Sequence, residues 1–140
     1  MLNKSAELYY FAYASNLNKK QMLERCPESK PRFTATLPNY KVVFVGWSRQ
    51  WRGGTASIRL SRGDKVLGAV YEISGRDLRR LDSYEGFPGT SNRLEVTVFS
   101  EDNQPIKAVT YVRSGQLEET PPSKEYRAVI GQGCKDWGII

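Results

Sequence analysis

Histidine is absent from the 140 residues of this chain. The absence excludes Ser-His-Asp and Cys-His catalytic arrangements, the H-E-x-x-H zinc site and any histidine general base. Acid–base chemistry near neutral pH would therefore depend on a carboxylate, a lysine, a cysteine or a tyrosine.

Cysteine is also scarce. The chain contains two cysteines, Cys26 and Cys134, and they lie far apart in the sequence. This spacing does not fit a disulfide framework or a four-cysteine zinc site, and it is typical of a protein from a reducing compartment. We expect both cysteines to be small buried hydrophobic residues.

Long apolar segments and runs of like charge are also missing. No apolar run approaches the roughly 20 residues of a membrane-spanning helix, and residues 1–7 lack the apolar stretch of a signal peptide. We therefore expect a cytoplasmic protein with no membrane partner. The 21 basic and 15 acidic residues leave a net charge of +6. Because the basic residues are dispersed, we do not expect nucleic acid as the partner.

The residues that are present suffice for one hydrophobic core, since 39% are hydrophobic and 11% aromatic. We predict a single domain over residues 1–140. β-branched and aromatic runs predict about six strands, at residues 8–13, 40–47, 55–60, 65–73, 94–99 and 106–112, with a turn at 62–64. Hairpin-length connections favour an antiparallel barrel or a strongly bent sheet.

Capping signals predict three short helices. Asn18, Ser74 and Ser123 each occupy the position of an N-cap residue before a helical pattern. We expect the first helix to end before Pro27 and the second to end at Gly86.

The turn at residues 13–17, Tyr-Ala-Ser-Asn-Leu, is the first segment with unusual chemistry. A predicted strand ends there in small residues just before a helix. Several backbone N–H groups can then point in one direction and bind an anion or a developing oxyanion. An ordinary helix N-cap is the alternative interpretation.

Glu85 is the second unusual feature, because it ends a predicted helix beside Tyr84 and Phe87. The negative end of the helix dipole and an aromatic, partly desolvated setting both raise the pKa of a carboxyl group. Such a glutamate can act as a general base, although a solvated surface glutamate would show the same pattern. Asp82 is expected to be a solvated partner of Arg79 or a cap residue.

Three segments together carry a recognisable pattern. They are Phe-Ala-Tyr-Ala-Ser-Asn-Leu at 11–17, Leu-Asp-Ser-Tyr-Glu-Gly at 81–86 after Gly-Ala-Val-Tyr-Glu-Ile at 68–73, and Pro-Ser-Lys-Glu-Tyr at 122–126 with Gly-Cys at 133–134. In order and spacing they resemble the γ-glutamylcyclotransferase family. That family includes a γ-glutamylamine branch and the avirulence-induced-gene-like proteins.

The resemblance implies an α+β fold, a closed and mostly antiparallel β-barrel of about six strands flanked by a few short helices. It implies an enzyme that converts a γ-glutamyl amine or dipeptide into 5-oxoproline and a free amine or amino acid by intramolecular aminolysis. Glu85 matches the family's general acid/base. The residues expected to bind substrate are Tyr10, Tyr13, Ala14, Ser15, Asn16 and Tyr126. The implied partner is a small γ-glutamyl molecule, and neither a metal nor a cofactor is required.

Two positions depart from the family pattern. Ala14 stands where the family has glycine, and Asn92 stands where it usually has tyrosine. If the backbone has a positive φ there, alanine would be strained at position 14. Trp47 and Trp51 are candidates for the rim of a pocket. A non-catalytic small-molecule binding protein on the same fold, and a basic nucleic-acid binder, remain the competing hypotheses.

Overall fold

A computed structural model describes residues 8–139. The polar segment at residues 1–7, on which the expectation of no signal peptide depends, lies outside the described residues. A single domain over residues 1–140 and a cytoplasmic location stay predictions.

Five strands within residues 8–139 close into a barrel in the order β1-β3-β2-β4-β5. The elements are β1 (Leu8–Ala12), a 3₁₀ helix (Ser15–Leu17), α1 (Lys19–Arg25), β2 (Lys30–Ser48), β3 (Gly53–Ile73), α2 (Gly75–Glu85), β4 (Ser91–Ser100), β5 (Pro105–Arg113) and α3 (Lys124–Trp137). Neighbouring strands are antiparallel except β1 and β5, which pair in parallel through Tyr10 and Val109. The predicted fold class is confirmed.

The barrel has five strands because two predicted strands are continuous in β3. The predicted turn at residues 62–64 is wrong, since both halves of β3 pair with β2. Residues 61–64 face the single residue Asn39, so the chain bulges and then resumes its direction. Gly63, with a φ of 89°, donates its backbone N–H to Asn39 Oδ1 at 3.1 Å. The same turn residues therefore form a bulge instead of a reversal.

β1 and β3 are apolar on both faces because both faces are covered. Inside the barrel, Phe11 and Val70 pack with apolar residues from β2, β4 and β5. On the outer face, Tyr10 and Tyr71 pack against α1 and α2. Cys26 is buried in this outer layer as expected. Cys134 is partly buried against it, and both cysteines are free.

The three predicted helices begin where expected. The side chains of Asn18, Ser74 and Ser123 each accept a hydrogen bond from the backbone N–H three residues later. α2 ends at Gly86, whose φ of 75° forms a left-handed cap and leaves Glu85 as the last helical residue. None of the helices described between residues 8 and 139 is long and apolar enough to cross a membrane.

α3 packs directly on the 3₁₀ helix and fixes the turn that follows β1. A Cβ atom added to Gly133 would lie 2.4 Å from the Asn18 nitrogen and 2.6 Å from the Leu17 carbonyl carbon. Trp137 Nε1 donates to the Leu17 carbonyl oxygen at 2.9 Å. The absence of a side chain at Gly133 therefore allows two backbone segments to touch.

Gly133→Ala should lower the free energy of unfolding by about 1–3 kcal/mol, because the added methyl group collides with backbone atoms that cannot rotate away. Gly131→Ala in the same helix is the matched control. Its added Cβ atom meets nothing within 4 Å, so helix propensity alone should raise stability by about 0.5–1 kcal/mol. Denaturant unfolding of both variants measures the difference, and equal stabilities would contradict the packing described above.

Candidate active site

A narrow cavity of about 40 Å³ brings together every residue predicted for the site. Its lining contains Glu85 together with Tyr10, Tyr13, Ala14, Ser15, Asn16 and Tyr126. Ala56 and Tyr111 complete it. The cavity adjoins a wider cleft of about 330 Å³, and the two share Ser15, Ala56, Glu85 and Tyr126.

Glu85 is partly buried at the end of α2. Burial raises the pKa of its carboxyl group above the usual value, while the positive charges of Arg25 and Arg113 limit the increase. The direction expected from the sequence is confirmed, and desolvation is its main cause.

Asp82, one turn before Glu85, has the opposite environment. Its Oδ1 atom accepts hydrogen bonds from the Tyr111 hydroxyl at 2.6 Å and from Arg93 Nε at 2.9 Å. Partial burial opposes its charge, but the hydrogen bonds from Arg93 and Tyr111 outweigh burial and lower the pKa of Asp82. The expected pairing with Arg79 is wrong, because β4 supplies Arg93 instead. No cluster of three or more metal-ligating side chains occurs within residues 8–139.

The turn from Tyr13 to Leu17 forms the 3₁₀ helix at one wall of the cavity. Ala14 has a φ of −139°, so the methyl group carries no left-handed strain. The Leu17 N–H donates to the Ala14 carbonyl at 3.0 Å, as a 3₁₀ turn requires. The N–H groups of Ser15 and Asn16 begin this helix and have no acceptor within it.

The side chain and the backbone carbonyl of Asn16 are hydrogen-bonded within the protein. Its Nδ2 group donates to the Tyr10 hydroxyl oxygen at 3.0 Å, and its Oδ1 atom accepts from Gln21 Nε2 at 3.0 Å and Arg25 Nη1 at 3.2 Å. Its backbone carbonyl accepts from the Tyr71 hydroxyl at 2.8 Å. Asn16 therefore holds the turn and Tyr10 in place.

Besides Tyr111, three tyrosines bring neutral hydroxyl groups to the cavity. Burial, with a contribution from Glu85, raises the pKa of Tyr10 and Tyr13 well above the usual value. Burial raises the pKa of Tyr126 to about 12. Tyr13 donates its hydroxyl hydrogen to the Tyr111 carbonyl at 2.6 Å. The Tyr126 oxygen accepts from a backbone N–H of β3 at 3.0 Å, which leaves its own hydrogen free to donate.

Two arginines line the cleft although nothing in the sequence indicates that they do. Arg25 ends α1, and its guanidinium lies 4.7 Å from the ring centroid of Tyr84. Arg113 ends β5. Strand alternation places Arg113 on the same face as Tyr111, but only closure of the barrel brings that face to Glu85.

The two tryptophans lie where a pocket rim was expected. Both line the wider cleft. Trp51 packs on Tyr126 with ring centroids 4.8 Å apart, whereas Trp47 is 64% exposed. Asn92 is exposed on β4, and its neighbour Ser91 lines the cleft.

The sequence and the fold both match known proteins. The model of the AIG2-like family matches residues 65–139. Gamma-glutamylcyclotransferase of Bos taurus is 35% identical over 135 residues, which cover 93% of this chain and 71% of the bovine protein. The Homo sapiens gamma-glutamylcyclotransferase is 33% identical over the same shares. A solved structure of a gamma-glutamyl cyclotransferase has a TM-score of 0.90 and 32% identity, and covers 95% of this chain and 81% of that one. The chain therefore belongs to the γ-glutamylcyclotransferase family of enzymes.

Proposed function

We propose that this enzyme cyclises a γ-glutamyl group to 5-oxoproline and releases the attached amine or amino acid. The observation that supports the proposal most directly is the shared cavity, in which Glu85 lies beside the turn residues 13–16. The narrow cavity suits the compact reacting group, and the adjoining cleft leaves room for a leaving group. Because the amine and the carbonyl belong to one molecule, positioning alone can supply much of the rate enhancement.

Glu85 is proposed to carry a proton between the two nitrogen atoms. The substrate ammonium first loses one proton to water and becomes the nucleophilic amine. As the new C–N bond forms, Glu85 accepts a second proton and passes it to the leaving nitrogen while the old C–N bond breaks. The released amine then takes up a proton from water, so the protons balance. A carboxyl group with a raised pKa suits both steps.

The γ-carbonyl oxygen gains negative charge during the attack. We propose that the N–H groups of Ser15 and Asn16, at the start of the 3₁₀ helix, donate hydrogen bonds to it. The free hydroxyl hydrogen of Tyr126 can add a third donor, since Tyr126 lines the same cavity. Donors that are fixed before the reaction need no reorganisation when the charge develops.

The other predicted residues are proposed to shape the cavity. The hydroxyl groups of Tyr10 and Tyr13 are tied to Asn16 and to the Tyr111 carbonyl. Their rings therefore form fixed walls. The methyl group of Ala14 narrows the space where the family has glycine.

Glu85→Gln should lower kcat about 10²- to 10⁴-fold, because glutamine cannot accept or return the proton. The measurement is release of 5-oxoproline from γ-glutamyl amino acids and γ-glutamyl amines. Glu95→Gln, at an exposed position of β4, is the matched control and should keep full activity.

An unchanged rate in Glu85→Gln would contradict the assignment of Glu85. Stabilisation of the wild-type protein by these compounds without any product would instead match a binding protein on the same fold.

The acid limb of kcat/KM should lie above the usual glutamate pKa of about 4.3, because burial raises the pKa of Glu85 and only its ionised form can act as base. The activity that depends on ionised Glu85 should be lost as the pH falls through this raised pKa. Deprotonation of the substrate ammonium adds a separate rise in kcat/KM at higher pH. Arg113→Gln should move this limb to higher pH, since the cation favours the ionised form. A pH profile of kcat/KM tests both statements, and a limb at or below the usual glutamate value would contradict them.

A further inference from the structure

The cleft beside Glu85 holds more positive charge than acid–base chemistry requires. Its lining contains three arginines, Arg25, Arg49 and Arg113, and one carboxylate, Glu85. Within residues 8–139, neither Arg25 nor Arg113 forms an ion pair with a carboxylate. A cleft with an excess of partly buried cations attracts an anionic ligand.

Arg25 belongs to the side of the cleft formed by the turn. It is buried, it donates to Asn16 Oδ1 at 3.2 Å, and its guanidinium packs over the ring of Tyr84. The γ-glutamyl half of any substrate carries a carboxylate on the same carbon as the attacking amine. In the proposed reaction that amine approaches Glu85 near the turn, so we assign this first carboxylate to Arg25.

Arg113 belongs to the part of the cleft formed by β3 and β5. Its Nη1 group donates to Thr55 Oγ1, and its backbone N–H donates to Ser57 Oγ at 3.0 Å. Its Nε group is buried and has no hydrogen-bond partner among the described residues. Arg113 also lines a second cavity of about 340 Å³, which contains no residue of the turn. The guanidinium is thus held in place by β3, and it forms no ion pair with a carboxylate of the described residues.

We propose that Arg113 binds a carboxylate of the leaving group and so makes the enzyme select γ-glutamyl amino acids over γ-glutamyl amines. This inference rests on the proposed cyclisation of a γ-glutamyl group. A second carboxylate is present only when the leaving group is an amino acid, and Arg113 is the partly buried cation that remains to receive it. A guanidinium can bind a carboxylate through two parallel N–H bonds, which gives orientation as well as affinity.

Two matched substrates isolate the carboxylate. γ-Glutamylalanine and γ-glutamylethylamine differ only by the carboxylate on the leaving group. In the wild-type enzyme, kcat/KM for γ-glutamylalanine should be the larger. Arg113→Gln should lower the ratio of this value to the value for γ-glutamylethylamine about 10- to 100-fold. The ratio of the two values cancels any change in the pKa of Glu85, because that change affects both substrates equally.

Three controls complete the experiment. Arg62→Gln removes one exposed charge on the bulge of β3 and should leave the ratio unchanged. Arg113→Lys keeps the charge without the planar fork and should retain part of the preference. γ-Glutamylalaninamide, whose carboxylate is replaced by a neutral amide, should behave like the ethylamine substrate with the wild-type enzyme, so this test needs no folded variant.

Equal losses on both substrates in Arg113→Gln, or a wild-type enzyme that does not distinguish γ-glutamylalanine from its amide, would overturn the role of Arg113. Turnover of neither substrate by the wild-type enzyme would instead remove the proposed cyclisation, and this inference with it. The two failures are therefore distinguishable.

Discussion

The close approach of α3 to the turn after β1 is the contact on which the site depends. A 3₁₀ helix of three residues cannot hold its own shape, and here its carbonyl groups are held from outside. The Tyr71 hydroxyl holds Asn16, and the Trp137 indole holds Leu17. Gly133 allows this arrangement because, without a side chain, it lets the backbone of α3 contact the backbone at Leu17 and Asn18. A residue without a side chain thus fixes the position of the turn that lines the cavity.

Burial raises the pKa of Glu85 and so moves it toward the range in which histidine titrates without tuning. Asp82 lies one turn earlier on α2, yet its hydrogen bonds to Tyr111 and Arg93 keep it ionised. Two carboxylates on one helix therefore have pKa values that move in opposite directions. Arg113 has two effects in the cleft. It limits the pKa increase at Glu85, and it adds a positive charge that is available to an anion.

Features that depend on residues close together in the sequence could be predicted. Features that depend on which elements of the barrel become neighbours could not. The caps at Asn18, Ser74 and Ser123 depend on residues three positions apart, which a sequence shows directly. The motif around Glu85 and the turn at residues 13–17 are equally local. The places of Arg25 and Arg113 depend on which elements become neighbours, and no spacing along the chain encodes that. The bulge at residues 61–64 was missed because Gly63 suits both a bulge and a chain reversal.

The parallel pairing of β1 with β5 has a consequence for folding. The cavity takes Tyr10 and the turn from the β1 side of this seam, and Tyr111 from β5. Contacts between segments so distant along the chain carry the largest loop-closure entropy and are expected to form late. The cavity around Glu85 is therefore expected to be complete only after the last strand has joined the first.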